Sequence, residues 1–244
     1  MGRAFEFRKE RKMKRWGNMA KTFTKIGREI SIAVKAGGGD PEYNAKLRIA
    51  IQNAKSANMP KANIESAIKK ASEKDSANYD EVIFEGYAPH GIAVLVEAAT
   101  DNNKRTVANV RHHFSKYGGS MGTSGSVDYM FERKAVFTVL KTDDIDLEEL
   151  ELELIDYGLE EIKEDVNEKE EAILKLYADF TDFGNLQKGL EEKSIESTGA
   201  SAERFPTHTK KLTDEETEAV IKLIDKMEED DDVLNVFHTM DESE

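Results

Sequence analysis

Near residue 78 the hydrophobic period of this chain changes, and that change limits the folds open to it. Upstream, Met19, Phe23, Ile26, Ile30 and Val34 recur at steps of four and three, the stripe of an amphipathic helix, and Gly37, Gly38 and Gly39 end it. Asp40 as a cap and Pro41 at the first helical position predict a second helix, carried by Leu47, Ile51 and Ala54 up to Asn58. Pro60 opens a third with Ile64, Ile68 and Ala71. None of the three is long enough to be stable alone, so they are expected to pack together as a small helical domain.

Downstream, short β-branched runs alternate with helical stripes. Residues Val82 to Tyr87 and Ile92 to Glu97, separated by Pro89 and Gly91, predict two strands, and Val107, Val110 and Phe114 a helix from Asn103 to Tyr117. A strand from Ala135 to Leu140 and a helix through Leu147, Leu150, Leu154 and Tyr157 come next. Strands at Leu159 to Val166 and Ala172 to Tyr177, a helix around Leu186 to Leu190 and a strand near Ile195 complete a βαββαβ, ferredoxin-like order. One αβ unit is left over at the C-terminal end: a helix with Val220, Leu223, Ile224 and Met227, then a strand from Val233 to His238. The region from Asn78 to Met130 lacks such a unit to finish its own βαββαβ order. The expected class is therefore α+β, an N-terminal three-helix domain followed by two ferredoxin-like α/β modules, one inserted in the other. The expected boundaries are 1–77, 78–130 plus 205–244, and 131–204.

Charge divides the chain along the same line. The 244 residues carry a net −14, yet Met1 to Asp75 holds 18 Lys and Arg against 8 Asp and Glu, leaving 17 against 41 for the rest. A basic lobe of this density is the footprint of a polyanion-binding surface, and the distant acid does not cancel it, because fields decay within about 10 Å at moderate salt. With zero Cys there is no disulfide scaffold, thiolate metal site or cysteine nucleophile. No apolar stretch approaches the roughly 20 residues of a membrane helix, and no apolar segment follows the basic beginning, so a cytoplasmic protein with no membrane partner is expected.

Three constellations are candidates for nucleic-acid contact. The first is the basic run Arg8, Lys9, Arg11, Lys12, Lys14 and Arg15, ending at Trp16, which either stacks on a base or anchors the arm to the bundle. It continues in Lys21, Lys25, Arg28 and Lys35, at steps of four, three and seven on the face opposite Phe23, a line of cations suited to a phosphate backbone. The second is the glycine-rich loop with Gly118, Gly119, Gly122, Thr123, Ser124 and Gly125, whose backbone N–H groups can form an anion nest. It lacks the Gly-Lys-Ser/Thr of a nucleotide-binding P-loop. The third is Lys104 and Arg105 at a helix N-terminus capped by Asp101 or Asn102, where the helix dipole favours phosphate. No H-E-x-x-H or G-x-S-x-G occurs, and His90, His208 and His238 stand apart, so neither an enzyme nor a metal, cofactor or small-molecule substrate is expected.

Several blocks are familiar as a set: GGGDP with ANMPKANIE, TDNNKRT, and GGSMGTSGSVDYMFERK. Through them the chain resembles the YebC/PmpR family, which includes mitochondrial translational activators of cytochrome oxidase, over nearly its whole length. The resemblance implies a helical N-terminal domain and two α/β domains. It also implies a role in gene expression, either as a transcriptional regulator on promoter DNA or as a ribosome-associated translation factor that contacts ribosomal RNA and relieves stalling. The family's usual opening, GHSKW followed by a basic run, is replaced here by FEFRKERKMKRWGNMAK. The expectation is a non-enzymatic nucleic-acid-binding regulator. Duplex DNA is the first target, the ribosome the alternative, and an acidic protein-interaction scaffold a third reading.

Overall fold

The computed structural model describes residues 19–74, 76–142, 145–167 and 170–242. Helices α1 (Met19–Gly37), α2 (Ala45–Ser56) and α3 (Lys61–Ser72) form the helical lobe. Ile30 and Leu47 are fully buried at its centre and Ile64 packs against them. The second helix starts later than Asp40 and Pro41 suggest. Asn44 is its cap, accepting the Leu47 N–H at 3.1 Å, while the Asp40 carboxylate accepts the Glu42 N–H at 2.9 Å in a turn ahead of the helix. Both Asp and Asn are good caps, and the turn resolves which one the helix uses.

Strands β1 (Asp80–Tyr87) and β2 (Ala93–Thr100) follow, then α4 (Asn103–Lys116) and the two-residue β3 (Ser120–Met121). The inserted module is β4 (Phe131–Leu140), α5 (Leu147–Leu154), β5 (Leu159–Val166), β6 (Ala172–Asp179), α6 (Phe183–Glu192) and β7 (Ser197–Pro206). Helix α7 (Asp214–Glu228) and strand β8 (Val233–His238) return to the first module. The sheets run β3-β1-β2-β8 and β5-β6-β4-β7, each antiparallel throughout. The inserted module has the ferredoxin-like strand order. The split module reaches the same four-stranded layout by a different route: β1 and β2 follow one another directly, so its order is ββαβ and then αβ rather than βαββαβ.

Each sheet buries one face under two helices. Phe84, Val94 and Val96 meet Val110 and Phe114 of α4 and Val220, Leu223 and Ile224 of α7 in one core; Phe137, Leu174 and Leu176 meet Leu150, Leu154 and Leu186 in the other. Strand β3 lies inside the glycine-rich run, where no strand period shows, and its pairing depends on Gly86. A Cβ at Gly86 would lie 2.5 Å from the Ser120 carbonyl oxygen and 2.8 Å from the Phe114 ring, so only glycine lets β1, β3 and α4 meet there. The other face of the first sheet is also partly covered, with Ala93, Leu95, Val127 and Phe131 packed together.

Candidate nucleic-acid interface

The cationic line of α1 turns inward over most of its length. The Lys21 ammonium donates to the Glu229 carbonyl at 2.9 Å, and Lys25 to the carbonyls of Glu228 at 3.2 Å and Leu234 at 3.4 Å. These cations meet the C-terminal end of α7, where unsatisfied carbonyls and the helix dipole favour positive charge. Arg28 donates through Nη1 to the Ala99 carbonyl and to the Asp232 carboxylate, each at 2.8 Å. The face read as a phosphate track is thus, from Lys21 to Arg28, the joint between the helical lobe and the split module. Lys35, at the far end of the line, is exposed.

Asp232 is the hub of that joint. Its buried carboxylate also accepts from Arg105 Nη2 at 2.8 Å and from the Thr106 hydroxyl at 2.7 Å, and Arg105 reaches Asp101 as well. Burial pushes the Asp232 pKa up, but the hydrogen bonds from Thr106, Arg105 and Arg28 outweigh it and hold the carboxyl below its usual range. On α1, next to Arg28 in the chain, half-buried Glu29 has the opposite balance. Burial raises its pKa to about 7, against the pull of Lys25 and with further upward pressure from Glu81 and Glu97.

The anion nest expected in the glycine-rich loop exists, and its anion is the chain's own. Glu85 on β1 accepts from the backbone N–H groups of Gly125 at 2.6 Å, Val127 at 2.7 Å and Asp128 at 2.8 Å. Burial raises the Glu85 pKa, and those three donors bring it below the ordinary value. The Gly119 N–H donates to the Phe114 carbonyl and the Gly122 N–H to the Glu85 carbonyl, both at 2.8 Å. A phosphate therefore finds none of these N–H groups open. The loop shows solvent the stretch from Gly122 to Gly125, including the side chains of Thr123 and Ser124, with Gly118 exposed at its start and Tyr129 73% exposed beyond its end. Gly125 holds φ at +82°, a conformation that favours glycine.

At the start of α4 the cap is Asn102, whose side chain accepts the Arg105 N–H at 3.2 Å. Arg105 is drawn to Asp232, whereas Lys104 next to it stays exposed. Around the helical lobe Lys35, Lys46, Lys55, Lys69, Lys70 and Lys74 are exposed and make no ion pair among the described residues. The arginine within the lobe's second helix is engaged: Arg48 donates to the carbonyls of Pro41 and Glu42 and pairs with Glu191. Arg8, Lys9, Arg11, Lys12, Lys14, Arg15 and Trp16 lie outside the described residues.

Sequence reasoning passed over the residues that join the three bodies. Asn53 on α2 donates to the Ala200 carbonyl at 2.8 Å and accepts the Ala200 N–H at 3.0 Å, seating the lobe on β7. Arg204 on β7 binds Glu97 at 3.0 Å and Asp128 at 2.7 Å, tying the inserted module to the split one. In the sequence Glu85 is the lone carboxylate of the apolar run from Val82 to Tyr87, 40 residues before the Gly125 that it meets.

Residues 3–74 match the profile of the TACO1/YebC protein N-terminal domain, and residues 79–240 that of the TACO1/YebC second and third domain. The chain belongs to the TACO1/YebC family. A "Probable transcriptional regulatory protein" of Flavobacterium johnsoniae is 60% identical over 99% of this chain and 100% of its own length. Another so named, from Porphyromonas gingivalis, is 57% identical over 100% of this chain and 99% of its own. Among solved structures, a conserved hypothetical protein of Aquifex aeolicus shares the fold of this chain. It has a TM-score of 0.75 and 40% identity, covering 91% of this chain and 90% of that one. Among the described residues no helix is long and apolar enough to cross a membrane.

Proposed function

We propose that this TACO1/YebC chain is a non-enzymatic regulator of gene expression that holds a nucleic acid by its phosphate backbone. The observation that carries this reading is the set of exposed lysines on the helical lobe, Lys35, Lys46, Lys55, Lys69, Lys70 and Lys74, which make no ion pair among the described residues, with Lys104 at the start of α4 exposed as well. The names of the relatives, probable transcriptional regulatory proteins, support the regulatory role and make duplex DNA the first target. On this reading the basic arm from Arg8 to Trp16 adds to the same surface, and the exposed tip of the glycine-rich loop, Thr123 and Ser124, contributes hydroxyl contacts.

A second reading, a structured RNA such as ribosomal RNA, is favoured by one feature. Among the described residues the exposed cations of the helical lobe are lysines, point charges suited to phosphate, while Arg28, Arg48 and Arg105, whose forks suit base edges, are engaged within the chain and Arg111 of α4 is exposed. Backbone contact without base readout serves RNA as well as DNA.

The test replaces Lys46, Lys69 and Lys70 together by Gln and measures binding to a random-sequence DNA duplex and an RNA hairpin across a salt series. Affinity for the true target should fall about tenfold or more, and the slope of log K against log salt should flatten by about 3. Unchanged affinity and slope for both would remove the lysine surface as the contact. A larger loss on the hairpin than on the duplex would decide for RNA.

A further inference from the structure

The inserted module carries 9 Lys and Arg against 22 Asp and Glu between residues 131 and 204, and one of its surfaces is both acidic and apolar. Helix α5 buries Leu150 and Leu154 in the module core. Its outward face presents Leu152, 73% exposed, and Ile155, 58% exposed, one step of three apart at the end of the helix and therefore neighbours on its surface. Around them Glu148, Glu149, Glu151 and Asp156 are exposed and make no ion pair among the described residues. Several other carboxylates of the module are matched: Glu153 of the same helix meets Lys193 at 2.5 Å, Glu160 meets Lys134 at 2.8 Å and Glu164 meets Lys141 at 2.7 Å. A single exposed leucine means nothing, but an apolar pair ringed by four unmatched charges of one sign is a surface with a chemical preference.

The geometry points to this face of α5 as the docking site for a basic amphipathic helix of a partner protein. Two apolar side chains of that helix would cover Leu152 and Ile155 while its Lys and Arg meet the four carboxylates. Charge selects the occupant. A nucleic acid is repelled here, and a second copy of this acidic face would set like charges against one another. The residues of this surface are distinct from the lysines of the helical lobe, so one chain can hold a polyanion by one set of groups and a basic protein by another.

The test uses the full chain and a synthetic 18-residue helix built of Leu and Lys with its leucines on one face. The control is a peptide of the same composition with the pattern scrambled. Titration followed by amide chemical shifts should show saturable binding of the patterned peptide, with shifts on α5, and at least tenfold weaker binding of the scrambled one. Leu152→Ser with Ile155→Ser, both on the surface, should reduce the patterned peptide to the level of the scrambled one with the fold intact. Equal binding of the two peptides, full affinity in the double variant, or self-association of the chain that the double variant abolishes would each overturn the proposal.

Discussion

Arg28 on α1 and Asp232 on the turn before β8 are 204 residues apart in the chain and 2.8 Å apart in space. Because Asp232 is buried and shared with Arg105 and Thr106, the pair holds the helical lobe on the split module through a carboxylate shielded from water. Such a carboxylate matters less for the net worth of its bonds than for what is left behind when it goes, the Arg28 guanidinium without this counter-charge.

Replacing Asp232 by Asn should therefore cost about 3 kcal/mol of stability. Urea unfolding should show a lower midpoint, and limited proteolysis should cut the junction between lobe and sheet faster. Lys21→Glu with Lys25→Glu should act in the same direction, by placing carboxylates against the Glu228, Glu229 and Leu234 carbonyls. A variant with wild-type midpoint and cleavage would show that the joint is held elsewhere.

Glu85→Gln removes the charge from a carboxylate that organises three backbone donors. One amide oxygen cannot accept all three, and its NH2 group faces donors, so a loss of about 2 kcal/mol is expected. Hydrogen exchange at Gly125, Val127 and Asp128 should accelerate well before global unfolding. Since the folded pKa of Glu85 is depressed, its contribution is present above the unfolded carboxyl pKa and is lost as pH falls through the lower folded value. The loop should loosen on acidification in the wild type and show no such pH step in the Gln variant.

Glu29 carries the opposite sign. Its pKa, raised to about 7 in the fold, means that the protonated form is the one folding favours, so stability declines as pH rises from the ordinary carboxyl range through about 7. Glu29→Gln should raise the melting temperature at pH 8 and leave it nearly unchanged at pH 5. Equal shifts at both values would show that Glu29 stays charged in the joint.

The elements of this fold were legible wherever a local period was strong. The strands at Leu159–Val166 and Val233–His238 stand where they were expected, and the orphan αβ unit at the C-terminal end does complete the first sheet, because β8 pairs with β2. The insertion could be read because a strand needs a neighbour. What could not be read was the partner of each cation. Lys21, Lys25, Arg28 and Lys35 make one pattern, yet three face carbonyls or a carboxylate of another module and the fourth faces water; a helix face looks the same in sequence whichever it meets. The same limit hid Asp232, one of three consecutive aspartates, of which it alone is buried. The glycine-rich loop was legible as a nest, but the anion inside it comes from a strand 40 residues upstream.

The seat of α2 on β7 has a consequence for the life of the chain before it finds any partner. Strand β7 is the outer strand of its sheet, paired only with β4, and an open strand edge is a template for pairing with other molecules. Asn53 takes both backbone groups of Ala200 as a neighbouring strand would, and the Ser56 hydroxyl takes the Thr198 carbonyl. The helical lobe thus serves as a plug against edge-to-edge aggregation, and a chain whose lobe folds late would pass through its most adhesive moment with β7 bare.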